Sequence, residues 1–187
     1  MDQTTLSYER QAEDDTLYLR LLTADDVTDE YIGWFKDTDV TQFLDSKDLT
    51  KQDVVEYIER GHADRRHFMY GIFDVRTDRH FGNMKIGPIQ WSHGVADMVC
   101  VIGRKEYWGK GLAKKAIRLG NKIAFNTHDL RKLSGGMATS NIGSFKAYTG
   151  AGWVEEGRLR GHNLIDGEAQ DRILVSCFNP AYFGGDS

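Results

Sequence analysis

Short runs in which apolar and polar residues alternate recur along the chain, and they predict strands. The first lies at residues 16–22, where leucines occupy every second position. Further alternating or fully apolar runs predict strands at 68–75, 81–89, 95–102, 132–138, 153–160 and 170–178. Asp166-Gly167, a dipeptide typical of tight hairpin turns, joins the last two. The pattern therefore predicts a mixed sheet.

Apolar residues spaced three and four positions apart predict the helices. These helices cover about residues 23–35, 50–62, 109–126 and 141–149. The first two begin with a threonine followed three residues later by an aspartate, Thr23 with Asp26 and Thr50 with Asp53. This is the capping-box pattern of a helix start, so we expect both threonines to be N-caps.

Length and composition fit one domain. The chain has 187 residues, of which 40% are hydrophobic and 28% are charged, as in ordinary globular proteins. We expect a single α+β domain over residues 16–180, after a loose, polar N-terminal extension at 1–15. No apolar run reaches about 18 residues, so no membrane partner is expected. Cys100 and Cys177 are far apart and the N-terminus lacks signal-peptide features, which favours reduced thiols and a cytoplasmic protein.

The net charge of −4 conceals an uneven distribution. Residues 25–56 carry ten acidic and three basic side chains, a net charge of −7, whereas residues 104–132 carry nine basic and two acidic ones, a net charge of +7. The near-neutral total disfavours nucleic acid as a partner. Each segment can be a solvated helix face, or the basic one can receive an anion and the acidic one a cation.

The connection between the strand at 95–102 and the long helix predicts an anion site. Gly109 and Gly111 open the helix, and glycines there let a ligand approach the backbone closely. A helix N-terminus offers unpaired N–H groups and the positive end of a dipole, and Lys110 and Lys114 add positive charge. These features indicate a bound phosphate.

Two common phosphate loops are excluded by spacing. A P-loop needs four residues between its first glycine and the Gly-Lys-Ser/Thr end, whereas five lie between Gly103 and Gly109 and Gly111 replaces the hydroxyl residue. A dinucleotide-binding fingerprint would need glycine or alanine at position 114, which is a lysine.

The same loop resembles that of the GNAT superfamily of acetyl-CoA-dependent N-acetyltransferases. Their phosphate loop reads Gln/Arg-x-x-Gly-x-Gly/Ala, and here Trp108-x-x-Gly111-x-Ala113 occupies those positions, with Trp108 departing from the usual Gln/Arg. A Tyr-Trp-Gly-Lys-Gly version is typical of the RimJ/RimL-type branch.

A second motif strengthens the resemblance. Asn141-x-x-Ser144-x-x-x-Tyr148-x-x-x-Gly-Trp is similar to the family's Asn-x-x-Ala/Ser-x-x-x-Tyr-x-x-x-Gly-Phe. Residues 155–160 resemble the Glu-Gly-x-x-Arg segment that follows in the same branch.

The resemblance implies a fold, a co-substrate and a set of contacts. The fold is a mixed, mostly antiparallel sheet of six to seven strands, flanked by about four helices and splayed between the strands at 95–102 and 132–138. The protein would transfer acetyl from acetyl-CoA directly to a primary amine, without a metal, and form a homodimer. The implied cofactor-binding residues are Val101, Ile102, Trp108, Gly109, Lys110, Gly111, Leu112, Ala113, Lys114, Asn141 and Ser144.

Catalytic roles follow from the same resemblance. Tyr148 matches the family's general acid, although the spacing alone also suits a core aromatic, and Ser144 is the second candidate for protonating the thiolate. For the general base, Asp97 ranks first and His93 second. A surface ion pair is the alternative interpretation of Asp97, and an exposed turn residue that of His93. The six histidines show no metal-ligand spacing, so no metal is predicted.

The acceptor amine is left open. The acidic segment at 25–56 would line the acceptor side, which favours a basic protein N-terminus or a polyamine. Residues 41–46 instead resemble the acceptor loop of relatives that acetylate nucleotide-linked amino sugars. A different class also fits, namely a non-catalytic acyl-CoA-binding module of the same fold.

Overall fold

One twisted sheet runs through the part of the chain that the structure, a computed structural model, describes: residues 8–44 and 49–184. Its strands are β1 (Ala12–Glu13), β2 (Leu17–Leu21), β3 (Phe68–Asp74), β4 (His80–Gln90), β5 (Val95–Ile102), β6 (Lys132–Ala138), β7 (Val154–Ile165) and β8 (Glu168–Phe178). They lie in the order β1-β2-β3-β4-β5-β6-β8-β7. The expectation of six to seven strands was therefore wrong, because eight are present.

The additional strand is β1, which lies inside the extension expected to be loose. It pairs antiparallel with β2 at two positions, Ala12 with Leu19 and Glu13 with Tyr18. Residues 1–7 of that extension lie outside the described residues. β5 and β6 have the predicted bounds, whereas β7 and β8 run further towards their turn, where Asp166 has φ 51° and Gly167 has φ 82°.

Six helices accompany the sheet in the described ranges, rather than about four. They are α1 (Asp29–Trp34), α2 (Thr38–Thr41), α3 (Lys51–Ala63), α4 (Leu112–Lys122), α5 (Ile142–Gly150) and α6 (Pro180–Phe183). A π-helical turn at Ile123–Thr127 extends α4. No helix of this part of the chain is long and apolar enough to cross a membrane.

The first predicted helix is broken into two pieces. The capping box of Thr23 and Asp26 is present, but it closes only a single 3-10 turn over Ala24–Asp26. Thr28 then has an extended backbone, and its side chain accepts a hydrogen bond from Tyr31 N–H as the N-cap of α1. Two competing caps five residues apart thus divide one apolar pattern into two short elements.

The sheet separates two hydrophobic cores. One face packs against α4 and α5 through Ala116, Ile117 and Leu119, together with apolar residues of most strands. The opposite face packs against α1 and α3, where Tyr31 and Ile58 are almost fully buried.

The sheet splays between its two parallel strands, as the resemblance implied. β5 and β6 pair at only three positions, from Val95 with Lys132 to Asp97 with Ser134. Beyond these residues β5 stays paired with β4, and all seven residues of β6 stay paired with β8. A gap therefore opens in the middle of an otherwise continuous sheet.

Candidate active site

The splay opens into a large cleft of about 1020 Å³. Its walls are β5, the loop before α4, the glycine-containing strand β6, α5, the hairpin of β7 and β8, and the segment from Asp39 to Leu44. Residues 45–48, which include the end of the predicted acceptor loop, lie outside the described residues. Motifs that are distant in sequence therefore line the same cleft.

One end of the cleft is built from backbone. Gly109 and Gly111 have φ of 71° and 73°, a conformation that side chains disfavour, and no atom lies within 4 Å of a Cβ built on either. Gly111 is the N-cap of α4, and the first helical hydrogen bond runs from Lys115 N–H to its carbonyl. The N–H groups of Leu112, Ala113 and Lys114 precede that bond, so they face an open space suited to a phosphate.

The neighbouring side chains shape this end. The Trp108 indole N–H donates to the carbonyl of Ile102 at 2.8 Å, which fixes the loop against the end of β5. Val101, Ile102, Trp108 and Lys114 line the cleft. Lys110 does not line it, and its ammonium lies 5.7 Å from the centre of the Tyr107 ring.

The start of α5 forms an adjoining wall. The side-chain oxygen of Asn141 accepts a hydrogen bond from Ser144 N–H at 3.1 Å, as an N-cap does. Both residues line the cleft and are half-buried. Capping uses only the oxygen of Asn141, so its amide NH₂ remains available to a ligand.

Tyr148 lies where the two parallel strands part. Its hydroxyl donates to the carbonyl of Met98 at 2.9 Å, the residue that follows the last β5–β6 pair. The ring is 5% exposed and packs edge-on against Trp153 at 4.8 Å. Burial raises the pKa of Tyr148 far above its usual value, against a smaller opposing effect of the backbone at Cys100. The phenol therefore stays protonated at neutral pH.

The structure separates the two candidate bases. Asp97 lines the cleft on the opposite sheet face from α5, and the Ser134 hydroxyl donates to its Oδ1 at 2.5 Å. His93 lies in the exposed turn between β4 and β5 and does not line the cleft. The ion pair that the alternative interpretation gave to Asp97 is absent among the described residues. Of the two, only Asp97 is brought to the site.

Cys100 lines the cleft but does not suit a nucleophile. Burial raises the pKa of its thiol to about 12, so the thiol carries its proton at neutral pH. Cys177 is also a free thiol, packed in the core. Within residues 8–44 and 49–184, no three His, Cys, Asp or Glu side chains come together as metal ligands.

The polar cleft residues that were not predicted include Ser134, Asn163 and Arg172. They lie on β6, β7 and β8, and only strand pairing brings them together. The one sequence signal near them was Gly135-Gly136 inside a predicted strand, where glycine usually marks a close approach.

Two residues of the basic segment form ion pairs with three residues of the acidic segment. Arg104 forms an ion pair with Glu30, and Lys105 lies 2.8 Å from Asp37 and 2.5 Å from Asp39. Other acidic residues of the segment serve local roles, since Asp26 pairs with Arg20 and Asp53 caps α3. Asp45 and Asp48 lie outside the described residues. The two charge runs therefore join the loop after β5 to α1 and α2.

A splayed sheet whose gap meets a glycine-lined helix N-terminus is the arrangement of a CoA-dependent acyltransferase. The chain belongs to the GNAT acetyltransferase family, because the sequence model described as the acetyltransferase (GNAT) domain matches residues 16–154. It is thus an acyltransferase of the N-acetyltransferase type. A probable N-acetyltransferase of Bacillus subtilis, YjcK, is 28% identical over 130 residues, which cover 70% of this chain and 71% of that protein.

Solved structures share the fold. The spermidine N-acetyltransferase of Vibrio cholerae, in complex with CoA and spermine, has a TM-score of 0.82 and 21% identity, covering 91% of this chain and 100% of that one. The ribosomal-protein-S5-alanine acetyltransferase of Vibrio fischeri has a TM-score of 0.78 and 19% identity, covering 90% of this chain and 96% of that one. The predicted RimJ/RimL-type assignment is narrower than this family.

Proposed function

We propose that this protein, as a member of the RimJ/RimL-type branch, transfers acetyl from acetyl-CoA to a primary amine by direct attack, with Tyr148 as the general acid. The observation that carries the proposal is the Tyr148 hydroxyl, buried at the point where β5 and β6 part and facing the cleft. The Tyr-Trp-Gly-Lys-Gly loop supports the branch assignment, as does the likeness to an S5-alanine acetyltransferase.

The donor binds on the backbone end of the cleft. The diphosphate of CoA contacts the N–H groups at the start of α4, with Lys114 adding positive charge, and the pantetheine arm runs along Val101 and Ile102. Asn141 and Ser144 contact the arm from α5. This arrangement leaves the thioester at the splay, beside Tyr148.

The reaction needs one bond formed, one broken and two protons moved. The neutral amine nitrogen attacks the thioester carbonyl carbon, the C–S bond breaks, and the thiolate takes a proton from the Tyr148 hydroxyl. Asp97, held by Ser134, accepts the proton that the amine nitrogen loses. Burial keeps the Tyr148 phenol protonated until the thiolate forms, but by raising its pKa it also makes the phenol a weaker acid towards the thiolate.

The structural relatives act on different acceptors, so their names do not identify the acceptor of this chain. Their names specify spermidine in one case and an alanine of ribosomal protein S5 in another. The charge argument for a polyamine also weakens, because the acidic side chains Glu30, Asp37 and Asp39 already have basic partners. The side chains of the cleft are the remaining guide to the acceptor class.

The test is thiol release from acetyl-CoA across a panel of amines, with an amine-free blank. The panel contains spermidine, peptides with basic and neutral N-termini, and free and nucleotide-linked amino sugars. Saturable release with one class, together with the acetylated amine in a mass spectrum, is the expected result. Binding of acetyl-CoA without release above the blank for any amine would favour the non-catalytic binding module instead.

A further inference from the structure

Arg172 is an unpaired cation inside the cleft. It lies on β8, is half-buried and lines the cleft wall. In the described part of the chain, its side chain has no carboxylate, carbonyl or aromatic partner. Other half-buried arginines do have one: Arg20 pairs with Asp26, and Arg104 pairs with Glu30. A half-buried guanidinium with five donors and no acceptor lacks its usual hydrogen bonds.

The sequence makes room for this guanidinium. A Cβ on Gly136 would lie 2.4 Å from Nε of Arg172 and 2.9 Å from both Cζ and Nη2, so the side chain lies directly over the glycine. Gly136 is not among the glycines with positive φ, so the backbone conformation does not require it. The adjacent Gly135 would place its Cβ no closer than 3.5 Å to any atom, on the face of Trp153. The absence of a side chain at Gly136 therefore leaves the space in which Arg172 lies against β6.

Arg172 lies on the same face of the sheet as the candidate base. Side chains alternate along a strand, so Ser134 and position 136 share the face that carries Asp97. Two residues of strand separate Ser134 from Gly136, about 7 Å. Asn163, on the neighbouring strand β7, also lines the cleft, and its Oδ1 is buried without a hydrogen-bond partner.

From this arrangement we infer that the acceptor is an amine that also carries a carboxylate or phosphate group, which Arg172 binds while the amine lies near Asp97. This inference rests on the proposed function. Guanidinium binds planar or tetrahedral oxyanions through paired N–H donors, which is the hydrogen bonding that Arg172 lacks. Asn163 accepts a hydrogen bond from a further N–H or O–H of the same molecule.

The experiment compares amines that differ only in the anionic group. Ethanolamine with phosphoethanolamine tests phosphate, tyramine with tyrosine tests carboxylate, and spermidine is the amine without an anion. We expect the anionic member of at least one pair to have a kcat/KM at least tenfold higher than its partner. In Arg172→Gln that preference should vanish while the KM for acetyl-CoA stays unchanged.

Three further variants guard against effects on folding. Gly136→Ala displaces the guanidinium and should reduce the same preference, whereas Gly135→Ala adds the same methyl group on the same strand without touching Arg172 and should keep it. Arg160→Gln removes an exposed arginine outside the cleft and should behave as the wild type.

Calorimetric binding of the same probes to CoA-saturated protein keeps the inference separate from the proposed function. Anionic amines that bind the wild type but not Arg172→Gln support the inference even if no amine is acetylated. Acetylation without preference for the anionic member, or best with spermidine, would overturn the inference and leave the function intact. The inference is also overturned if no probe shows an Arg172-dependent effect, or if Arg172→Gln raises only the KM for acetyl-CoA.

Discussion

The two ends of the cleft are built in different ways. The end assigned to CoA is one continuous loop and helix start, where Gly109 and Gly111 expose backbone N–H groups. The opposite end is a set of side chains, Asp97, Ser134 and Arg172, from three strands that meet only through sheet pairing. Backbone groups suit the donor, which is the same molecule in every reaction. Side chains can be replaced to suit a different acceptor while the fold stays intact. Tyr148 lies where the two ends meet.

The largest expected effect is that of Tyr148→Phe. Losing the phenol proton should lower kcat by about 100-fold, the typical contribution of a general acid. Acetyl-CoA should bind as before, because the loop is untouched. Tyr182→Phe, which removes an exposed hydroxyl on α6, is the matched control and should keep the full rate. Thiol release and acetyl-CoA titration give both numbers, and an undiminished rate in Tyr148→Phe would remove the tyrosine from the mechanism.

Acid should unfold the protein through histidines that lie away from the cleft. Burial lowers the pKa of His62, His80 and His128 to about 4, from an ordinary value of 6.5. The folded state thus resists a proton that the unfolded chain takes up, so the stability is full above pH 6.5 and is lost as the pH falls towards 4. For His128 alone the loss is about 2–3 kcal/mol.

Chemical unfolding measured at several pH values tests this expectation. In His128→Gln, the free energy of unfolding should depend less steeply on pH between 6.5 and 4. An equal slope in the variant and the wild type would show that this histidine titrates normally. The unfolding curves also show at which pH the protein is still folded, so that a loss of activity at that pH can be assigned to the cleft and not to unfolding.

A smaller effect is expected at the backbone end. Gly111 has a left-handed backbone, so Gly111→Ala costs about 1 kcal/mol of loop strain and should weaken acetyl-CoA binding about fivefold. Gly157→Ala is the control, because its φ is not positive and no atom lies within 4 Å of an added Cβ. Calorimetric titration with acetyl-CoA measures both. Equal affinity in Gly111→Ala would mean that the loop conformation does not matter for the donor.

The smallest effect is expected at the ion pairs outside the cleft. Lys105→Ala removes the exposed partner of Asp37 and Asp39 and should leave the free energy of unfolding nearly unchanged, because solvent screens exposed ion pairs. Lys122→Ala, at the exposed end of α4, is the control. If the acidic residues instead recognise a cationic acceptor, freeing them in Lys105→Ala should lower the KM for spermidine. Urea unfolding and spermidine kinetics distinguish the two.

Most of the fold could be predicted because its signals are local. The strands β5 and β6 and the α3 capping box follow from short-range patterns alone. The broken first helix was missed because Thr28 adds a second cap inside one continuous apolar pattern. β1 was missed because two residues carry no periodicity, and only pairing with β2 makes them a strand.

The candidate site likewise has one part with a local sequence signal and one part without it. The loop from Trp108 to Lys114 could be predicted because its chemistry lies in consecutive backbone groups. Ser134 and Arg172 could not, because their place on the same sheet face as Asp97 depends on the register of β5, β6 and β8. His93 was a candidate because of its residue type and its place before β5, and the structure leaves it in an exposed turn.

The central claim is that the cleft has two separate binding ends. The most direct test measures two KM values, one for acetyl-CoA and one for the best anionic amine, in each of two variants. We predict a clean division: Gly111→Ala raises the KM for acetyl-CoA alone, and Arg172→Gln raises the KM for the amine alone. If both variants raise the KM of the same substrate, the two ends of the cleft do not hold two different ligands, and the division between a donor end and an acceptor end is contradicted.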